Sequence, residues 1–272
     1  MKLITLLTDF GVEDGYPGIM KGVIWRIAPD THIADITHAI RPQNILDGAL
    51  ALQRSVPYFP PGSVHVAVVD PGVGTPRRPI AARLGEQYFV GPDNGLVTCL
   101  LRETRRRGET AVFVHLDRPQ FWLPQVSHSF HGRDVFAPAG AHLANGTPLE
   151  ALGTPIDDPI ELDLPAPRRT PHGLQGQIIH IDHFGNLATN IEPLHVQGLA
   201  PQQVRIGPRL IPGIARTFGD GRPGDLLALW DSAGYLSISV VNGSAAARLT
   251  AQTGDAVEII VDNPVESGDN LG

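Results

Sequence analysis

Short apolar runs alternate with longer amphipathic stretches along the first 160 residues. The apolar runs predict strands over residues 3–7, 32–36, 64–69, 80–84, 88–90 and 111–116. Apolar positions at helical spacing predict helices over 19–28, 42–52, 96–106 and 134–144. Because strands and helices alternate, we expect an α/β domain with a mostly parallel central sheet flanked by helices.

The pattern changes near residue 165. Three prolines between 165 and 171 predict a semi-stiff linker. Beyond it, short apolar runs predict strands over 176–182, 203–206, 226–231, 235–240 and 256–261, with no convincing amphipathic helix. We therefore expect an α/β domain over 1–165, a smaller all-β domain over 172–262 and a flexible polar tail over 263–272.

Composition narrows the class of protein. The net charge of −7, without a basic stripe, argues against a nucleic-acid partner. A single cysteine, Cys99, excludes an internal disulfide and is typical of a reducing compartment. The first apolar run is too short for a signal peptide and meets Asp9 at once, and no segment reaches membrane-spanning length. These features predict a cytoplasmic protein.

A carboxylate ends the predicted strand 64–69. Asp70 opens the stretch Asp-Pro-Gly-Val-Gly-Thr-Pro-Arg-Arg, in which prolines and glycines force turns. Ligands of open α/β sheets bind at the carboxyl ends of the strands. We therefore interpret Asp70 as a candidate catalytic residue, the alternative being that Asp-Pro-Gly only opens a turn. Asp9 stands in the same position after the first strand.

Two metal-binding hypotheses follow from the acidic and histidine residues. His32, Asp35 and His38 are three residues apart, but strand and turn geometry does not place all three on one side. A second set is rich in carboxylates and supports a metal-dependent hydrolase as an alternative function: Asp9, Asp14, Asp70 and His131. Gly72-Val73-Gly74 lacks the Lys-Ser/Thr of a phosphate loop.

The second domain offers a candidate base-binding platform. Phe184 presents a π-face, and Asn186 carries the paired donor and acceptor that an adenine edge needs. The small-residue turn at Asn242 and Gly243 lets backbone approach a flat ligand. Plain turns are the alternative interpretation of both stretches.

Taken together, the motifs resemble one family. They are Thr8-Asp9-Phe10-Gly11 with Asp14-Gly15-Tyr16, Met20-Lys21-Gly22, Asp35-Ile36-Thr37-His38, Val69 to Thr75 with Arg77-Arg78, Gly91 to Gly95, Phe130-His131-Gly132-Arg133-Asp134, Asp182 to Asn186, and Gly234 to Ile238. From residue 3 to about residue 261 the chain is similar to the S-adenosyl-L-methionine (SAM) hydroxide adenosyltransferases, which are adenosine-forming SAM hydrolases related to the SAM-dependent fluorinase and chlorinase. A non-catalytic module that binds adenosine or SAM is an alternative function.

The resemblance implies a reaction and a site. Water or hydroxide would attack C5′ of SAM and give adenosine and L-methionine, without a cofactor, in a homotrimer whose active sites lie at subunit interfaces. Asp70, Arg77 and His131 would handle the water, and Asp9 would hold the ribose hydroxyls. The remaining implied substrate contacts are Asp14 and Asp182 at the ammonium group, Phe184, Asn186 and Phe218 at adenine, and Ser232, Asn242 and Gly243.

Position 70 separates hydrolysis from halogenation. In the halogenating relatives that this chain resembles, the position looks like a tyrosine. A carboxylate there repels halide and binds water, so we expect hydrolysis. An arginine beside Asp70 makes that carboxylate a weaker base. Two roles therefore stay open: Arg77 and His131 stabilise a bound hydroxide, or Asp70 and His131 share the proton. His128, in a stretch that departs from the family pattern, is a second candidate histidine.

Overall fold

The computed structural model of the chain describes residues 2–261, so the predicted tail lies outside the described residues. The chain forms two compact units that divide between Leu162 and Asp163. Within the described residues, no helix is both long and apolar enough to cross a membrane.

The first unit contains a seven-stranded sheet and four α-helices. Its strands are β1 (Leu3–Thr8), β2 (His32–Thr37), β3 (Val64–Val68), β4 (Pro79–Leu84), β5 (Gln87–Pro92), β6 (Ala111–His115) and β7 (Thr154–Ile156). Its helices are α1 (Tyr16–Ile27), α2 (Ile45–Ser55), α3 (Thr98–Arg106) and α4 (Ala137–Ala144). The sheet order is β2-β1-β3-β5-β4-β6-β7. Pairs among β2, β1, β3 and β5 are parallel, and those at β4, β6 and β7 are antiparallel.

Two apolar cores cover the two faces of this sheet. Alternate residues of β1 point to opposite sides, so Ile4 and Leu6 join the core beneath α1 and α4, while Leu7 joins the core beneath α2 and α3. All five residues of β3 are buried, as expected for a central strand covered on both faces. The predicted α/β class is confirmed, with helices on both faces of a mixed sheet.

All four helices begin two or three residues away from their predicted starts, and two of these differences have a local cause. Helix α2 begins at Ile45 rather than at Pro42, because the Asn44 side chain accepts a hydrogen bond from the Asp47 amide and caps the helix. The predicted helix over 134–144 has a π-helical turn, Gly132–Phe136, in place of its first turn. Both differences depend on hydrogen bonds that apolar spacing does not encode.

The second unit is all-β, as predicted. Its strands are β8 (Arg168–Thr170), β9 (Gly173–Ile181), β10 (Leu187–Thr189), β11 (Pro201–Ile206), β12 (Arg209–Pro212), β13 (Leu226–Trp230), β14 (Leu236–Val240) and β15 (Ala256–Val261). They pair antiparallel in the order β12-β11-β15-β9-β10-β14-β13, with β8 beside β9.

The sequence did not predict strands β10 and β12 of this unit, and it missed two further elements, a strand and a short helix. Strand β8 lies within the stretch predicted as a linker, where Arg169 is in register with Leu174 of β9. A five-residue helix, α5 (Ala245–Leu249), follows Ser244, whose hydroxyl accepts a hydrogen bond from the Ala247 amide. Both elements are too short for a periodic pattern to indicate.

Candidate active site

Asp70 and Arg77 form a buried ion pair just beyond the carboxyl end of β3. The Arg77 Nε lies 2.9 Å from Asp70 Oδ1 and 3.0 Å from Oδ2, and Nη2 also donates to Oδ2. The side chains are only 8% and 4% exposed. The turn between them is closed by the Val73 amide donating to the Asp70 carbonyl at 3.2 Å. This turn returns the arginine to the carboxylate seven residues earlier.

The two arginines of this stretch have different partners. Arg78 donates from Nε to Asp93 Oδ2 at 2.8 Å, and its Nη1 donates to Asp158 Oδ1 at 2.7 Å. Asp93 is buried in the loop that follows β5. Arg78 therefore fastens the loop from Asp70 to the neighbouring strand end, and Arg77 contacts the candidate catalytic residues.

His131 completes this group. Its Nδ1 lies 2.8 Å from Nη2 of Arg77, and because an arginine only donates, this nitrogen accepts. Burial and the Arg77 charge lower the pKa of His131 from its ordinary value of 6.5, against the opposing effects of Asp70, Asp134 and a hydrogen bond to the Ser127 backbone. The imidazole is therefore neutral at neutral pH.

One buried donor of the group has no partner among the described residues. Arg77 uses Nε and Nη2 on Asp70 and His131, whereas its Nη1 is buried without a hydrogen bond. The Phe136 ring covers the guanidinium at 5.2 Å from its centroid. An unpaired buried N–H is costly, so Nη1 is the atom best suited to hold a water or hydroxide.

The loop before the π-helical turn positions His131. The fully buried Asp134 carboxylate accepts hydrogen bonds from the Ser127 amide at 2.8 Å and from the Ser127 hydroxyl at 2.7 Å. Burial alone would raise the pKa of Asp134, but hydrogen bonds from Arg133 and Ser127 outweigh it and lower the pKa. Asp134 was not among the site residues predicted from the sequence, although it is the last residue of the Phe130-His131-Gly132-Arg133-Asp134 motif.

A close backbone approach joins this loop to the turn after Asp70. Gly74 has φ of +77°, and a Cβ on it would lie 2.6 Å from the carbonyl oxygen of His128. Only glycine fits such a contact. The backbone of His128 therefore packs against Gly74, although His128 as a whole is exposed. Of the two candidate histidines, His131 is the one that contacts Arg77.

Asp9 and Asp14 occupy the loop after β1. Asp9 Oδ2 accepts a hydrogen bond of 2.8 Å from the Gln43 amide, which leaves Oδ1 for a ligand. Asp14 is exposed immediately before α1. The loop also carries aromatic residues that sequence reasoning missed as site residues: the Tyr16 and Phe130 rings are 5.1 Å apart and Phe10 lies 5.7 Å from Phe130. They connect this loop to the one that holds His131.

The predicted adenine residues lie in the second unit. Asp182 organises the turn between β9 and β10, because its Oδ1 accepts from the Phe184 and Asn186 amides and its Oδ2 accepts from the Asn186 side chain at 2.8 Å. The Phe184 ring is 73% exposed. The family resemblance implies that Asp182 contacts the ammonium group of the substrate. Its hydrogen bonds within the turn were not predicted from the sequence.

The structure brings the Asn186 turn and the Asn242–Gly243 turn together. A Cβ on Gly185 would lie 2.0 Å from the Ser244 hydroxyl, and the Gly185 carbonyl accepts from the Ala246 amide at 2.9 Å. The two other predicted contacts lie on separate turns of the same unit. Phe218 is 44% exposed at the start of a 3-10 turn, and Ser232 is exposed in the turn before β14.

The metal hypotheses receive no support from the geometry of residues 2–261. In this range, histidine, cysteine and acidic side chains form no group of three or more suited to a metal ion. Asp70 is engaged by Arg77, and the His38 side chain lies between Thr8 and Asp35.

Comparison with known proteins assigns the family. Residues 4–153 match the SAM hydroxide adenosyltransferase N-terminal domain, and residues 176–258 match the C-terminal domain. The chain belongs to the SAM hydroxide adenosyltransferase family. Two proteins named (R)-S-adenosyl-L-methionine hydrolase are 40% and 41% identical to this chain. They come from Salinispora arenicola (94% of this chain, 97% of the relative) and Thermus thermophilus (96% and 100%).

More distant and structural relatives agree with this assignment. A protein named fluorinase from Nocardia brasiliensis is 27% identical, over 95% of this chain and 97% of its own. A crystal structure of an uncharacterized conserved protein from Thermotoga maritima matches with a TM-score of 0.86 and 37% identity, over 94% of this chain and 99% of that chain. The SAM hydroxide adenosyltransferase fold therefore extends over both units.

Proposed function

We propose that this protein hydrolyses SAM to adenosine and L-methionine by attack of water or hydroxide on C5′ of the ribose. One observation carries the proposal: a buried Asp70–Arg77 ion pair in contact with His131, in a chain about 40% identical, over nearly its whole length, to proteins named (R)-SAM hydrolase. The relatives' name specifies the (R) configuration, and we propose the same epimer as substrate.

The chemistry of SAM explains what the site must supply. Its sulfonium leaves as a neutral thioether, so the departing sulfur needs no acid. The demand is an oxygen nucleophile held in line with C5′, which proximity and orientation accelerate strongly. Arg77 Nη1, buried and unpaired among the described residues, is the donor we assign to that oxygen. This geometry favours stabilisation of a bound hydroxide over proton removal by Asp70, whose carboxylate oxygens both accept from Arg77.

The remaining residues are assigned to substrate binding. Asp9 would accept the ribose hydroxyls, Asp14 and Asp182 would face the ammonium group, and Phe184 and Phe218 would flank adenine. The side-chain nitrogen of Asn186 donates to Asp182, so its side-chain oxygen Oδ1 is left to accept from the adenine amino group. Further contacts come from Ser232 and the backbone of Asn242 and Gly243.

The direct test is incubation of the purified protein with each sulfonium epimer of SAM, followed by chromatography. We expect the wild type to form adenosine and methionine in equal amounts from the (R) epimer, and to form more of both than the Asp70→Asn variant does. Chloride and fluoride are added in parallel arms, because a carboxylate at position 70 repels halide. Absence of both products would overturn the proposal, and a 5′-halo-5′-deoxyadenosine would favour the halogenase alternative.

The assembly is a separate proposal. We expect a homotrimer in the cytoplasm with active sites at subunit interfaces, as the family resemblance implies. Size-exclusion chromatography with light scattering should give three times the 29.2 kDa chain mass. A mass of one or two chains would contradict the trimer without affecting the assignment of the reaction.

A further inference from the structure

Four polar side chains apart from the reacting group form a chain that ends next to Asp9. The Lys21 Nζ donates to Asp35 Oδ2 at 2.6 Å, and the other carboxylate oxygen lies 3.1 Å from Nε2 of His38. On the far side of the ring, Nδ1 lies 2.9 Å from the Thr8 hydroxyl. None of these four side chains has a role in the proposed chemistry.

The chain runs from the surface into the core. The Lys21 and Asp35 side chains are 25% and 38% exposed, His38 is 7% exposed and Thr8 is fully buried. Burial favours a higher pKa for Asp35, but hydrogen bonds from Lys21 and His38 outweigh it and lower the pKa. The two ring nitrogens of His38 thus face different partners, with Nε2 toward the Asp35 carboxylate and Nδ1 toward the Thr8 hydroxyl.

His38 also fixes the backbone on both sides of Asp9. The Thr8 hydroxyl oxygen accepts from the Phe10 amide at 3.2 Å, and the carbonyl of His38 accepts from the Gly11 amide at 2.8 Å. His38 therefore contacts the loop at two points, through its ring at Thr8 and through its backbone carbonyl at Gly11. Between these two points the Asp9 side chain accepts from the backbone of another loop, at Gln43.

We propose that His38 is a positioning residue for ribose recognition, acting on Asp9 through Thr8 and the Phe10–Gly11 backbone. The proposal rests on the proposed function, in which Asp9 accepts the ribose hydroxyls. Without the ring, the loop loses its side-chain anchor and Asp9 no longer faces the diol in a fixed orientation. The cost falls on the binding of the diol and not on activation of water.

The kinetic test is a cycle of variants with two substrates. We expect His38→Leu to raise KM for SAM about 10-fold, the cost typical of a lost hydrogen bond to a charged group, with kcat changed less than twofold. With a 2′,3′-dideoxy analogue of SAM, or in the Asp9→Asn background, the same substitution should have almost no further effect. His38→Asn, which retains a polar atom near the position of Nδ1, should recover most of the loss. Equal losses with both substrates would overturn the proposal.

A second readout separates this proposal from the assignment of the reaction. Amide hydrogen exchange at Phe10 and Gly11 should be about 10-fold faster in His38→Leu than in the wild type, whereas exchange in β3 should be unchanged. Unchanged exchange at both amides would overturn the positioning role whatever the activity. A wild type that does not consume SAM would overturn the proposed function, and the exchange rates would still decide the role of His38.

Discussion

At the scale of single residues, Arg77 is the centre of the candidate site. Its three nitrogens differ in their partners: Nε and Nη2 donate to Asp70, Nη2 also donates to His131, and Nη1, unpaired among the described residues, is the donor that we propose for the nucleophile. Lysine carries one point charge and cannot reproduce this fork. Removing either partner from a buried ion pair typically costs about 3–5 kcal/mol, because the remaining charge is left buried without a partner.

The neighbouring arginine provides a matched control for this assignment. We expect Arg77→Lys to lower kcat about 10²–10³-fold, as loss of one preorganised donor does in other enzymes. Arg78→Lys, which disturbs the contact with Asp93, should lower the melting temperature and leave kcat within about twofold. Steady-state kinetics and thermal melts of both variants check this. Equal losses of kcat would show that the loop, and not the Arg77 donor, is what matters.

The protonation state of His131 predicts a pH profile. Its Nδ1 accepts from Arg77 only when the ring is neutral, so kcat/KM should fall as pH drops through a pKa below 6.5 and stay level above it. Asp134 raises the pKa of His131, and therefore Asp134→Asn should move this acid limb to lower pH. Ser127→Ala removes a hydrogen bond but no charge, and should leave the limb in place. A shift toward higher pH in Asp134→Asn would contradict the electrostatic role.

At the scale of elements, the ends of β1 and β3 determine the site. Apolar runs predicted these strands, and the acidic residue after each run indicated a candidate ligand site, because composition changes sharply at Thr8 and Val69. The π-helical turn at Gly132–Phe136 could not be predicted in this way. It depends on Asp134 reaching back to Ser127, a hydrogen bond that has no periodic signature in the sequence.

The contact between the two site loops gives a prediction at this scale. Gly62 and Gly74 both have positive φ, but only Gly74 lies against another backbone, since a Cβ at Gly62 meets nothing within 4 Å. An alanine at either position should cost about 1–2 kcal/mol of unfolding free energy for the left-handed conformation. Gly74→Ala should in addition displace the loop of His128 and lower kcat at least 10-fold. Denaturant unfolding and kinetics of the pair test this, and an unchanged kcat in Gly74→Ala would refute the contact's role.

At the scale of the whole molecule, the sequence indicated two halves with different chemistry. The residues that we propose for water and ribose lie in the α/β unit, and those that we propose for adenine lie in the all-β unit. The alternation of strands with helices, and its loss after residue 165, allowed this division to be predicted. Short elements such as β8 and α5 could not be predicted, because three to five residues do not establish a period.

The fate of the water oxygen tests hydrolysis at C5′ most directly. The protein is incubated with SAM in H₂¹⁸O, and the adenosine is analysed by mass spectrometry. Attack of water or hydroxide on C5′ predicts adenosine that is two mass units heavier, with the label on the 5′ oxygen, and unlabelled methionine. Adenosine without the label, or no adenosine above the level of the Asp70→Asn variant, would contradict hydrolysis at C5′ by this site.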